Sequence, residues 1–412
     1  MTLLERLKRE FSFVKGNYAI IVISWILIDF ASELPATYYS LYVLKLGATE
    51  TILGLIALSG FLALASMQFP GGYLADKFGR KWLVSTMTFG VGLSFILYAL
   101  APSWPFILLG VVLMSFINSI YQPALMAIVS DSLPPENRGM GFSIIMLITS
   151  TSTTPGPLVA LVLHDWFGLV QGMRIAYGIV VGLFLIAGLL RLKLKETFVS
   201  CGRPRLSELL RSYPTALKES FGVWGKLSRS MFYLFVSSAT TMTGIAAVQL
   251  FFSVYAIKVL QVGEDIWPLV LTALPITSIL LAIPIGKVVD KINRKIPIMF
   301  AYACFGAALL LFMAGDVVKL FVSLVLFGAG MVMMNAASSA LQADLTPKEH
   351  RGKVVGFMSF MNYILMAIGS FLGGFLYEHV SPQMPFLFAF ALTIPSLVMV
   401  SALVHEPQKR EE

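Results

Sequence analysis

The chain has 412 residues, 57% of them hydrophobic and only 13% charged, with a mean hydropathy of +0.82. A soluble fold has no use for so much apolar surface, so the composition describes an integral membrane protein. The formal charge of +8 marks the membrane side on which the basic loops lie, and nucleic-acid binding is not its explanation.

In chain order, Leu3, Leu4, Leu7 and Phe11 stand at helical spacing among Arg6, Lys8 and Arg9. That pattern predicts an amphipathic helix on the inner membrane surface over residues 1–16. Apolar runs able to cross about 30 Å of hydrocarbon as helices follow at 17–43, 51–71, 82–101, 106–130, 140–163, 175–190, 231–257, 267–286, 296–315, 320–343, 354–377 and 384–404. Barrel strands are short and alternate apolar with polar residues, whereas these runs are apolar on every face. The expected fold class is therefore all-α with twelve transmembrane helices. No small-residue cleavage site follows the first run, which is expected to be retained and not removed as a signal peptide.

Lysine and arginine are retained on the cytoplasmic side. With the N-terminus inside, 26 of the 30 basic residues fall there, and only Lys45, Arg174, Lys258 and Lys319 fall outside. Both chain ends are expected in the cytoplasm of a multi-pass cell-membrane protein. The same count assigns every basic residue from Arg191 to Arg229 to one central cytoplasmic segment. Cys201 and Cys304 lie too far apart in the expected topology for a disulfide, and the four histidines build no metal cluster.

The central segment 194–229 divides six runs from six, and the two halves repeat. Asp131, Pro134, Glu136, Arg138 and Gly139 recur 213 positions on as Asp344, Pro347, Glu349, Arg351 and Gly352. GYLADKFGRK at 72–81 recurs as GKVVDKINRK at 286–295, and Gly156 overlays Gly369. With GGYLADKFGRK after the second run, its weaker copy after the eighth and the D-x-x-P-x-E-x-R-G pair, the chain resembles the major facilitator superfamily over essentially its whole length. The resemblance implies two six-helix bundles at 17–193 and 230–405, with a cytoplasmic tail at 406–412. It also implies a central cavity worked by alternating access. By the same resemblance, Gly72, Asp76, Arg80 and Asp131 belong to an inner gate latch, with Asp290, Arg294 and Asp344 as its weaker partner. Asp76 would meet a helix of the other bundle and Arg80 would pair with Asp131, in contacts made only when the cytoplasmic side is closed. The plainer alternative is that these charges only set topology and loop shape.

Of the 22 acids, only Asp29 and Glu33 lie within the marked runs, where no basic residue or histidine accompanies them. Four positions apart on a helix, they share one face, with Glu33 toward the outside. Each carboxylate facing lipid would cost at least about 2.5–3.5 kcal/mol, so both are expected to face the cavity. Their repeat partners are Met242 and Ala246, so the fold itself does not require acids there. Two readings stay open: a carrier of protons or a site for a cationic group, or a pair that is merely protonated, bonded or hydrated.

By position, Tyr38, Tyr39, Tyr42, Gln68, Asn118, Gln122, Gln249, Phe252, Tyr255 and Asn335 are candidates for the rest of the cavity wall, together with Met67, Tyr121 and Phe251. Each could equally serve helix packing. TTPGPLVALV in the fifth run resembles the Gly-Pro element of drug/proton antiporters at Gly156 and Pro157, but Ala160 and Leu161 replace the glycines expected after it. The fourth run lacks the arginine that many proton-coupled members place there. The expected function is proton-coupled export of lipophilic or cationic small molecules by a monomer that needs no cofactor or metal. A metabolite importer of the same fold is the alternative. No catalytic group set or nucleotide loop supports an enzyme.

Overall fold

The computed structural model describes residues 13–68, 74, 79–134, 137–197, 214, 217–219, 221–222, 224–225, 227–347 and 351–406. Residues 1–12, Gly72, Asp76, most of the segment 198–226 and residues 407–412 lie outside the described residues, as does the side chain of Asp290.

The described elements are helices, and eleven stretches are long and apolar enough to cross a membrane. One of them, Met140–Arg191, has 52 residues. At about 1.5 Å per residue a straight helix of that length exceeds twice the hydrocarbon thickness. Gly168, at φ 73°, interrupts it, in a backbone conformation that favours glycine. The stretch therefore holds two crossings, and the twelve expected spans are present. In chain order, spans 1 to 4 are Gly16–Lys45, Glu50–Met67, Arg80–Ala99 and Trp104–Asp131. Spans 5 and 6 divide Met140–Arg191 at Gly168. Spans 7 to 12 are Arg229–Gln249, Ile266–Val289, Lys295–Met313, Val317–Leu345, Arg351–His379 and Met384–Leu403. Leu280 and Ile283 of span 8 are each 68% exposed, as a surface meeting lipid requires.

The sequence repeat is visible in the packing. A methyl group on Gly156 of span 5 would meet Glu33 of span 1, and one on Gly369 of span 11 would meet the Thr243 backbone of span 7. Each bundle thus brings its fifth helix onto its first at a glycine. The leading helices also break at similar places. Span 1 is an α-helix over Gly16–Glu33, a 3-10 turn over Ala36–Tyr38 and a second helix over Tyr39–Lys45. The break follows Pro35, whose ring supplies no N–H to the helical ladder. Span 7 ends at Gln249 and resumes at Phe252–Val254.

Carboxylates cap span 3 and span 9 in the same way. Glu196 accepts the backbone N–H groups of Arg80 and Lys81, both at 3.1 Å, and Glu406 accepts that of Lys295 at 2.8 Å. Both acids stand just beyond the last helix of their bundle. At the opposite end, Asp316 caps span 10 by accepting the Lys319 N–H at 2.9 Å. That bond, and the Lys319 side chain, hold its exposed carboxyl below the usual carboxylate range.

The apolar core shows where the bundles meet. One buried cluster runs through spans 1 to 6 and continues into Phe251, Tyr255, Trp267, Phe312 and Phe386 of the second bundle, while the other stays within the second bundle. The shared part lies at the end where spans 1 and 2 connect, called here the seal end. The opposite end, with Arg80 and Arg294, is the latch end.

Candidate functional site

Asp29 lies one turn from the end of the first helical segment of span 1, beside Trp25 and Thr149. It lines a cavity of about 160 Å³ built by spans 1, 3, 4 and 6 of the first bundle. Trp25, Phe95, Phe184 and Tyr121 supply aromatic wall, and Asn118 and Gln122, bonded to each other at 3.3 Å, supply amides. One carboxylate oxygen of Asp29 is buried without a hydrogen-bond partner. Glu33 is close enough to Asp29 for their charges to interact, but it packs against Gly156 and does not line the cavity.

The cavity holds a charge that the sequence reading assigned to the central loop. Arg191 lies inside span 6, only 1% exposed, and donates Nε–H to the Ser24 hydroxyl at 3.0 Å and Nη1–H to the Thr88 hydroxyl at 2.7 Å. Its guanidinium carbon is 5.9 Å from the centre of the Tyr121 ring. The expectation that no basic residue accompanies the acids is therefore corrected: Arg191 shares the cavity with Asp29 and lies within electrostatic reach of it. A basic residue directly after an apolar run reads as a loop flank. The hydroxyls of Ser24 and Thr88, on other spans, draw it inward.

The other candidates lie elsewhere. Tyr42 is buried and donates to the Tyr98 carbonyl at 2.8 Å, in an aromatic group with Tyr177 and Phe95 that Tyr39 adjoins. Phe252 and Tyr255 pack on Phe312 and Phe386. Gln249 and Asn335 are exposed, and Gln68 is half-buried at the end of span 2. Tyr38 belongs to the seal.

At the seal end the bundles are bonded together. Tyr38 donates to the Glu264 carbonyl at 2.7 Å and stacks on His164 at 4.9 Å, while His164 Nε2 lies 2.7 Å from Glu264 Oε2. Trp267 donates to Ser253, which donates to the Thr37 carbonyl, at 2.9 and 2.8 Å. On the other side, Glu378 accepts the Thr51 N–H at 2.8 Å and Lys258 lies 3.4 Å from Glu50. Glu264→Gln should loosen this end by about 1 kcal/mol, since the pair is partly exposed and screened. In a background carrying Cys201→Ser and Cys304→Ser, a cysteine at buried Thr37 should then react about fivefold faster with an impermeant maleimide. An unchanged rate would remove Glu264 from the seal.

At the latch end Arg80 is paired with Asp131, and Arg294 with Asp344 and the Ala340 carbonyl. Each pair lies within a single bundle. The hydrogen bonds and ion pairs joining the two bundles among the described residues are those at the seal end.

A family model described as the Major Facilitator Superfamily matches residues 21–276 and 234–412. The chain belongs to this superfamily of membrane transporters. A similar protein is the quinolone resistance protein NorA of Staphylococcus aureus, 31% identical over 44% of this chain and 47% of that one. This chain thus spans about half the length of that curated relative. An uncharacterized MFS-type transporter, MJ1560 of Methanocaldococcus jannaschii, is 23% identical over 83% of this chain and 86% of its own. Among solved structures, the nucleoside transporter NupG superposes with a TM-score of 0.75 at 16% identity, covering 95% of this chain and all of that one, a likeness of fold.

Proposed function

We propose that this superfamily member is a proton-coupled transporter of the cell membrane that exports lipophilic or cationic small molecules by alternating access. The observation that carries the reading is Asp29, a carboxylate in a cavity within the bundle with one oxygen free to take a proton or a cationic group. The likeness of half the chain to a quinolone resistance protein supports export. The positive-inside distribution puts the latch end in the cytoplasm. The seal then closes the outer face, and the Arg80–Asp131 and Arg294–Asp344 pairs, with Gly72, Asp76 and Asp290, serve the inner gate. The second reading, import of a metabolite, is favoured by Arg191, a buried cation suited to an anionic group.

Proteoliposomes containing the full chain and loaded with ethidium test the coupling. A gradient acidic outside should drive dye out against the proton flow about tenfold faster than no gradient, an effect expected to vanish with a protonophore. Efflux indifferent to the gradient would leave a facilitator, and uptake driven by the same gradient would favour import.

A further inference from the structure

The charge balance of the cavity narrows the substrate, given that reading of the site. Only two lining residues are charged, Asp29 and Arg191, of opposite sign, and they make no ion pair with each other among the described residues. Arg191 is held by Ser24, five positions before Asp29 on span 1, so the residue that anchors the guanidinium and the residue that carries the carboxylate are separated by a backbone rise of about 7–8 Å along the helix axis. A purely cationic guest would gain Asp29 but desolvate beside Arg191, and a purely anionic guest would meet the reverse penalty.

We propose that the preferred substrate is a zwitterion whose ammonium and carboxylate are separated by a flat apolar spacer of about 7 Å, the ammonium on Asp29 and the carboxylate on Arg191. The bonds of Arg191 to Ser24, Thr88 and Tyr121 leave N–H groups on the guanidinium, which offers five, and Asp29 has an oxygen without a partner. Trp25, Phe95, Tyr121 and Phe184 line the space between as walls for an aromatic ring. A proton and the ammonium then compete for one carboxylate, which is the exchange an antiporter needs.

The test is equilibrium binding of three radiolabelled probes of equal size to the purified full chain: 4-(aminomethyl)benzoate, 4-methylbenzylamine and 4-methylbenzoate. The zwitterion should bind at least about tenfold tighter than either singly charged probe. Arg191→Gln should reverse the order in favour of the amine, and Asp29→Asn in favour of the acid. Binding of the zwitterion no tighter than the amine, or binding of none of the three, overturns the proposal even where Arg191→Gln fails to fold. Neither result touches the ethidium test of proton coupling, so the two readings fail separately.

Discussion

Asp29→Asn is expected to reduce gradient-driven transport to background while leaving the folded protein intact. The amide keeps the shape of the carboxyl and its place beside Trp25 and Thr149, and the repeat partner Met242 shows that the fold does without an acid at this position. What is lost is, among the described residues, the one acid lining the cavity, able to take up a proton or pair with an ammonium. A charge-assisted bond contributes about 1.5–3 kcal/mol, so substrate affinity alone should fall about 10- to 150-fold, and proton coupling should disappear with the titrating group. Glu33→Gln should do less, because Glu33 packs on Gly156 outside the cavity. Proteoliposome flux at several pH values, with size-exclusion profiles and melting temperatures for both variants, measures this. Normal flux with an unchanged pH profile in Asp29→Asn would make the acid structural.

Gly54→Val should drive the two bundles apart at the seal end. A Cβ at Gly54 would lie 2.6 Å from the Ser370 carbonyl oxygen and 3.2 Å from the Phe371 Cα, both backbone atoms of span 11 that no rotamer change can move. Gly374 meets the Glu50 backbone in the reverse sense, so spans 2 and 11 touch main chain to main chain. Inserting a branched side chain costs about 1–3 kcal/mol in a packed core. Here that cost falls only on the sealed form, so the population should shift about 5- to 150-fold toward the form open at that end. Distances between spin labels at Lys45 and Val380 should lengthen, and transport should fall because the cycle cannot close. Gly178→Val, at a helical glycine with nothing within 4 Å of its missing Cβ, should leave the distances unchanged. An unaltered distribution in Gly54→Val would show that the span 2 to span 11 contact does not hold the seal.

The membrane itself makes part of this molecule legible in one dimension. Each crossing must satisfy its backbone internally and face hydrocarbon, so the spans, their helical state and their number are written as apolar runs. The duplication survives as motifs 213 or 214 residues apart, and the packing of Gly156 on Glu33 and of Gly369 on Thr243 repeats it in space. Asp29 and Glu33 stood out because an acid in an apolar run is costly, a property of the residue and its neighbours alone.

Everything that depends on one helix meeting another was decided by tertiary structure. A helix apolar on all faces carries no stripe to say which side turns inward, so Tyr42, Phe252 and Tyr255 read as cavity residues although they pack in aromatic clusters and do not line it. Arg191 read as a loop residue because its partners, Ser24 and Thr88, stand 167 and 103 positions away, and only the bundle brings their hydroxyls to it. His164 and Glu264, or Gly54 and Ser370, carry no local signature of partnership. Their contacts exist because two bundles far apart in sequence close against each other at one end.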